Sequence, residues 1–325
     1  MMRAAVLCAS VVLAIPAIAQ VREVTIAAIH GVIAADARWA LAWSGTDNAD
    51  GIVGTADGGL LFAQEQPSRV SKLDTHDRAS VYLEGTHGAG SLSIDARGQI
   101  VAALRTCTDP GNAGRGITAP CTEPTGIAQL TPMRRVLADN IDGKPLGRIN
   151  DLVAAKNGSV YFTSGGAFRL SPAGTVSAIG SDLRTNGIML SPDERTLYVT
   201  NGSDVVAFDV ARDGTAANQR TFTRLRDGGN GDGMTIDAAG RLYVTSAPGV
   251  QVFGSDGAFL GMIPTPRPVI SVAFSGAGKT TLYVVGAGAL GSDGREIQTP
   301  QGIRNNAKSI FRIRMLASGF AGRSK

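Results

Sequence analysis

The sequence predicts an all-β fold, a six-bladed β-propeller with four antiparallel strands per blade. Three observations predict it. A polar turn built from Asp, Asn or Gly, followed by an apolar strand-type run, recurs six times along the 325 residues. The copies fall at roughly forty-residue spacing, the period of one four-stranded blade. Each copy is then followed by a partner run whose residues alternate inward and outward, as half-buried antiparallel strands do.

The copies run in order. The first three are Asp57-Gly58-Gly59-Leu60-Leu61-Phe62, Asp95-Ala96-Arg97-Gly98-Gln99-Ile100-Val101 and Asn157-Gly158-Ser159-Val160-Tyr161-Phe162-Thr163. Then come Asp193 to Thr200, Asp237 to Thr245 and Gly278 to Val285. With Phe62, Val101, Phe162, Val199, Val244 and Val284 as anchors, the intervals are 39, 61, 37, 45 and 40 residues. Partner runs such as Arg69-Val70-Ser71-Lys72-Leu73 and Val205-Val206-Ala207-Phe208 follow. A β-sandwich would not repeat so regularly, and a β-helix repeat is far shorter. Ring closure is expected from pairing of the strand near Ile310 with an N-terminal strand at Val24 to Ile29, which removes the open edges. The polar, glycine-rich Gly286 to Asn306 segment reads as a long loop.

Composition agrees with a turn-rich globule: 43% of residues are hydrophobic, enough for a core, and 42 glycines with 14 prolines supply the turns. Residues 1–19 read as a signal peptide, with Arg3 at its start, an apolar Ala4 to Ile15 and the small-residue site Ala17-Ile18-Ala19. The apolar run is too short to span a membrane, and no other stretch approaches its length. The expectation is an exported chain, periplasmic or secreted, with residues 20–325 forming one domain. Removing Arg3 lowers the formal charge from +4 to +3, a surplus too small and scattered for a nucleic-acid binder. Cys8 leaves with the leader. Cys107 and Cys121 then remain around a Gly/Pro/Thr-rich loop, and an oxidising compartment favours a disulfide between them. A catalytic thiol or zinc pair lacks support, because no His adjoins either cysteine and the spacing fits no zinc motif.

The chemistry is expected where inner-strand ends converge on one mouth of the ring. Asp50, Asn150 and Asn186 each stand seven residues before a copy, and Asp232 stands five before one. Taken singly, each is a turn-forming residue of the kind that abounds in β-proteins. Four at matched offsets favour a ring of oxygen donors that could hold a hard cation such as Ca²⁺. Two of them, Asn186 and Asp232, stand next to a Gly, where the backbone is expected to turn sharply. His30, His76 and His87 form no ligand pair, and the phosphate-loop-like Gly276 to Thr280 leads into a strand instead of a helix.

The linked motifs Gly147-Arg148-Ile149-Asn150-Asp151-Leu152, Asn186-Gly187-Ile188-Met189-Leu190-Ser191-Pro192-Asp193, Gly231-Asp232-Gly233-Met234 and Gly240-Arg241-Leu242-Tyr243-Val244 carry a resemblance. Together they resemble the gluconolactonase/regucalcin family of six-bladed propellers, from about Asp50 to Leu316. The resemblance implies a lactone hydrolase with a divalent metal at the channel mouth, usually calcium, with Zn²⁺ or Mn²⁺ as alternatives. It implies Asp50, Asn150, Asn186 and Asp232 as metal ligands, Asp232 as general base, and Arg148 with Asn150 as substrate contacts. Two departures stand out. Asp50-Gly51-Ile52 replaces the family's Glu-Gly-Pro, and Ser164 replaces the Asp of Phe-Thr-Asp. The implied partner is a small lactone. Phosphotriester hydrolysis and a non-catalytic binding platform are the competing functions.

Overall fold

The computed structural model describes residues 23–105, 124–226, 229–290, 297–299, 302–303, 308–322 and 325. The signal-peptide expectation and the Cys107–Cys121 pairing fall outside them.

Six four-stranded antiparallel sheets form the ring of a six-bladed propeller. Blade 1 comprises Ile52–Gly54, Leu60–Gln64, Arg69–Leu73 and Ala79–Glu84. Blade 2 begins with Ala89–Ile94, blade 3 with Leu152–Ala154, blade 4 with Thr185–Leu190, blade 5 with Met234–Ile236 and blade 6 with Val269–Ser275. Burial falls from the axis outward. The inner strand Ile52–Gly54 is buried throughout, while the outer strand Ala79–Glu84 is almost wholly exposed. That gradient explains the sequence pattern: inner strands face neighbours on both sides and read as apolar runs, and outer strands alternate or turn polar.

The repeat turns lie at the far end of the inner hairpins from the channel mouth. Asp57, Asp95, Asn157, Asp193 and Asp237 each accept a backbone N–H two residues on, at 2.9–3.2 Å. This local bond fixes the turn that spaces the blades.

Closure differs from expectation. Blade 6 is completed by Ala40–Gly45, which pairs with Lys308–Arg314 in a register that sets Trp43 opposite Ile310. The Val24 to Ile29 stretch does not pair there. Ile26, Ile29, Val32 and Ile33 are buried against Tyr243, Val252, Phe274 and Phe311, over the seam between blades 5 and 6. The reason is exposure: an outer strand offers little burial, and so apolar a segment gains more by covering the seam. Blade 2 brings a second correction. Leu92 pairs with Ala102, whereas Ile52 pairs with Phe62 and Leu152 with Phe162, so the equivalent anchor is Ala102 and not Val101. The Gly286 to Asn306 stretch is not wholly loop. It begins inside the strand Thr281–Ala287, and Gln298–Thr299 pairs with Gly302–Ile303.

Candidate functional site

Asp50, Asn150, Asn186 and Asp232 each stand two residues before the inner-strand residue that pairs with its blade's anchor: Ile52, Leu152, Ile188 and Met234. That shared position places them at one height around the channel. The second strand holds each in place. Asp50 donates its N–H to the Ala63 carbonyl at 3.1 Å, Asn150 to Thr163 at 2.8 Å and Asp232 to Thr245 at 3.0 Å. Asn186 donates to the Thr200 hydroxyl at 3.2 Å. The same count places Gly90 in blade 2 and Ile270 in blade 6 at the two remaining positions.

The glycine after Asp50, Asn186 and Asp232 has a reason other than a sharp turn, since none of the three has a positive φ. A Cβ on Gly51 would lie 2.5 Å from Cα of Ser91, one on Gly187 2.1 Å from the Asp232 carbonyl, and one on Gly233 2.7 Å from the Ile270 carbonyl. Each glycine lets the next blade's backbone come close, which keeps the ring narrow. Blade 3 has Asp151 at that place. Its carboxylate accepts from the Ser91 hydroxyl at 2.7 Å and the Ile188 N–H at 3.1 Å, tying blades 2, 3 and 4.

All four ring residues open on one cavity of about 210 Å³. Arg148 reaches it too, donating to Oδ1 of Asn150. Ser164, the residue standing where the family has Asp, donates to the Leu146 carbonyl and steadies the loop that carries Arg148. Sequence reasoning missed three further members. Arg105, buried, binds Oδ2 of Asp50. Ser271 donates to Oδ1 of the same carboxylate at 3.2 Å. Lys325 pairs with Asp151 and donates to the Ile188 carbonyl at 2.7 Å. The three histidines do not line the cavity.

Electrostatics centre on Asp232. It is half-buried by surface area because it lines the cavity, yet protein surrounds it deeply enough to strip most of its hydration. Burial first, then the Asp50 and Asp151 carboxylates, push its pKa up to about 8; Arg105 and a hydrogen bond from Asn186 pull the other way. Burial works against the Arg105 charge, but Asp50 and then Glu65 more than offset it, and its pKa lies above the ordinary arginine value. Two carboxylates and two amide oxygens around one cavity are a donor set that could hold a hard divalent cation.

A family model described as SMP-30/Gluconolactonase/LRE-like region matches residues 56–288. The chain belongs to that family. The match includes Arg148, Asn150, Asn186 and Asp232 and begins just beyond Asp50. Among curated relatives, a pentonolactonase of Haloferax volcanii is 31% identical over 80% of this chain and 88% of its own length. A gluconolactonase of Zymomonas mobilis is 28% identical over 77% of this chain and 76% of its own. Among solved structures, a gluconolactonase from Xanthomonas campestris superposes with a TM-score of 0.69 at 24% identity, covering 90% of this chain and 94% of its own. The calcium-binding regucalcin of Agrobacterium tumefaciens gives 0.60 at 17% identity, covering 84% and 95%. At such identities the two structures speak for the fold alone.

Proposed function

We propose that this protein is a metal-dependent lactonase that opens a sugar lactone or similar small cyclic ester. The observation that carries the reading is the convergence of Asp50, Asn150, Asn186 and Asp232 on one small cavity, in a chain whose curated relatives include a gluconolactonase and a pentonolactonase. No observation favours phosphotriester hydrolysis or a bare platform over it.

The donor chemistry fits a divalent cation. The ring's donors are two carboxylates, Asp50 and Asp232, and two amides, Asn150 and Asn186, around one cavity. That mixture suits calcium better than a softer metal. Burial first, and then repulsion from Asp50 and Asp151, raises the Asp232 pKa, and a cation in the ring would relieve the repulsion. Asp50, Asn150, Asn186 and Asp232 would hold it, with calcium the first choice and zinc or manganese the alternatives. Once bound, such an ion acts as a Lewis acid on the lactone carbonyl.

The chain's own residues do the rest. Arg148 and Asn150 at the rim orient substrate hydroxyls, so that the acyl carbon faces Asp232. In its deprotonated form Asp232 takes a proton from the attacking water. The hydroxide oxygen bonds to the acyl carbon, the bond to the ring oxygen breaks, and that oxygen takes the proton to give a hydroxy acid. The small cavity favours a single ring over an extended chain.

We also assign the protein to an exported location, on the leader pattern of residues 1–19. The activity is tested with aldonolactones, simple aliphatic lactones and a phosphotriester in a pH-indicator assay, with and without calcium, zinc and manganese. Metal-stimulated acid release from a lactone supports the reading. Turnover of the phosphotriester alone contradicts it.

A further inference from the structure

Five of the six equivalent positions around the channel carry a side chain: Asp50, Asn150, Asn186, Asp232 and Ile270. The sixth is Gly90. Its φ lies outside the left-handed region, so no left-handed backbone demands a glycine there. Space is what demands glycine here. A Cβ on residue 90 would lie 2.5 Å from Cδ, Nε and Cζ of Arg105. Arg105 follows the second strand of the same blade, Ile100–Leu104, and its side chain passes over Gly90. The guanidinium therefore fills the blade 2 place in the ring.

Its bonds run to both neighbouring blades. Nε donates to the Ile149 carbonyl at 2.8 Å, one terminal nitrogen donates to Oδ2 of Asp50, and the other to the Asn150 carbonyl. Oε2 of Glu65, in blade 1, lies 3.5 Å from the terminal nitrogen that binds Asp50. Three acceptors spread around a plane suit the rigid fork of arginine, and a lysine ammonium could not reach them together.

We propose that Arg105 is a positioning residue of the site, its guanidinium fixing the Asp50 carboxylate and the Asn150 backbone at the heights a bound cation requires. Arg105 acts through these two residues and not on the substrate. Asp50 is one methylene shorter than the Glu that the resemblance leads one to expect, and a short carboxylate has less freedom to find its own geometry. The consequence for cation binding rests on the function proposed above.

Two substitutions disturb the same contact in different ways. Arg105→Lys keeps the charge and loses the fork. Gly90→Ala keeps the arginine and displaces it, leaving its hydrogen-bonding partners in place. Calcium affinity is measured by calorimetry on the wild type, both single variants and the double variant, with folding checked by circular dichroism and melting. Each folded single variant should bind calcium about ten- to a hundredfold more weakly. The double variant should be no worse than the poorer single, because both remove one contact. Calcium affinity within twofold of wild type in Gly90→Ala, or losses that simply add, would overturn the proposal. If the wild type binds no divalent cation, the functional reading falls while the positioning role stays testable. A melting-temperature cycle of Arg105→Lys with Asp50→Asn in chelator then decides it: coupled losses uphold the positioning role and additive ones overturn it.

Discussion

Arg105 bonds to Oδ2 of Asp50 with one terminal nitrogen and to the Asn150 carbonyl with the other, so one buried cation joins blade 1 to blade 3 across the blade between them. The charge count around the cavity follows from it. Asp50 is ion-paired with Arg105 and Asp151 with Lys325, whereas Asp232 is steadied by the field of Arg105 and a hydrogen bond from Asn186. Asp232 is thus the carboxylate with most to gain from an added cation.

The raised Asp232 pKa makes the metal-free protein pH-sensitive in a definite direction. The folded chain holds this proton up to about pH 8, and the unfolded chain releases it near the ordinary aspartate value of 3.8. Between those values the native state binds more protons, so stability falls as pH rises. In chelator the melting temperature should fall from about pH 5 to pH 8, and Asp232→Asn should flatten that part of the profile. An unchanged slope in the variant would assign the dependence to other groups.

Asp232→Asn should also separate stability from function. At pH 8 in chelator the neutral amide removes repulsion with Asp50 and Asp151, so the variant should melt no lower than the wild type. Its kcat/KM on the lactone should fall at least about a hundredfold, the lower end for loss of a general base. Calcium should no longer raise its melting temperature. Thermal scans paired with steady-state kinetics check both halves.

The glycines of the ring should resist even a methyl group. Gly187→Ala would set a Cβ 2.1 Å from the Asp232 carbonyl, a backbone atom with little room to yield. Denaturant titration should give a loss of about 1–3 kcal/mol or more, typical of overpacking. Calcium binding should weaken with it, because the atom displaced belongs to a proposed ligand residue.

The four ring residues were legible in the sequence because equivalent blade positions recur at fixed offsets from the turn motifs. Arg105 was not. It reaches the ring from the end of a second strand, over Gly90, and only the three-dimensional path reveals that route. The part played by Asp151 has no local signature, because it depends on Ser91 and Ile188, which belong to other blades. Lys325 comes to the cavity from far along the chain, and no local pattern marks it. The closing strand Ala40–Gly45 was missed since an exposed outer strand needs little apolar character, while the more apolar Val24 to Ile29 drew attention to itself. The ring glycines were identified as special, but the reason lies in contact between blades and not in backbone dihedrals.

Export leaves a chemical trace. Mass spectrometry of protein made in a host with an export pathway should find a chain beginning at or near Gln20, with Cys107 linked to Cys121. Closing that short loop should contribute about 3 kcal/mol by restricting the unfolded chain. Free thiols on both cysteines in unreduced material, or an intact N-terminus on exported protein, would contradict this expectation.

The most direct test of the central claim is the rate of acid release from an aldonolactone by wild type and Asp232→Asn, each in chelator and in calcium. Hydrolysis by the wild type should rise with calcium and disappear in the variant. Hydrolysis that is equal in chelator and calcium, and equal in both proteins, would contradict the claim.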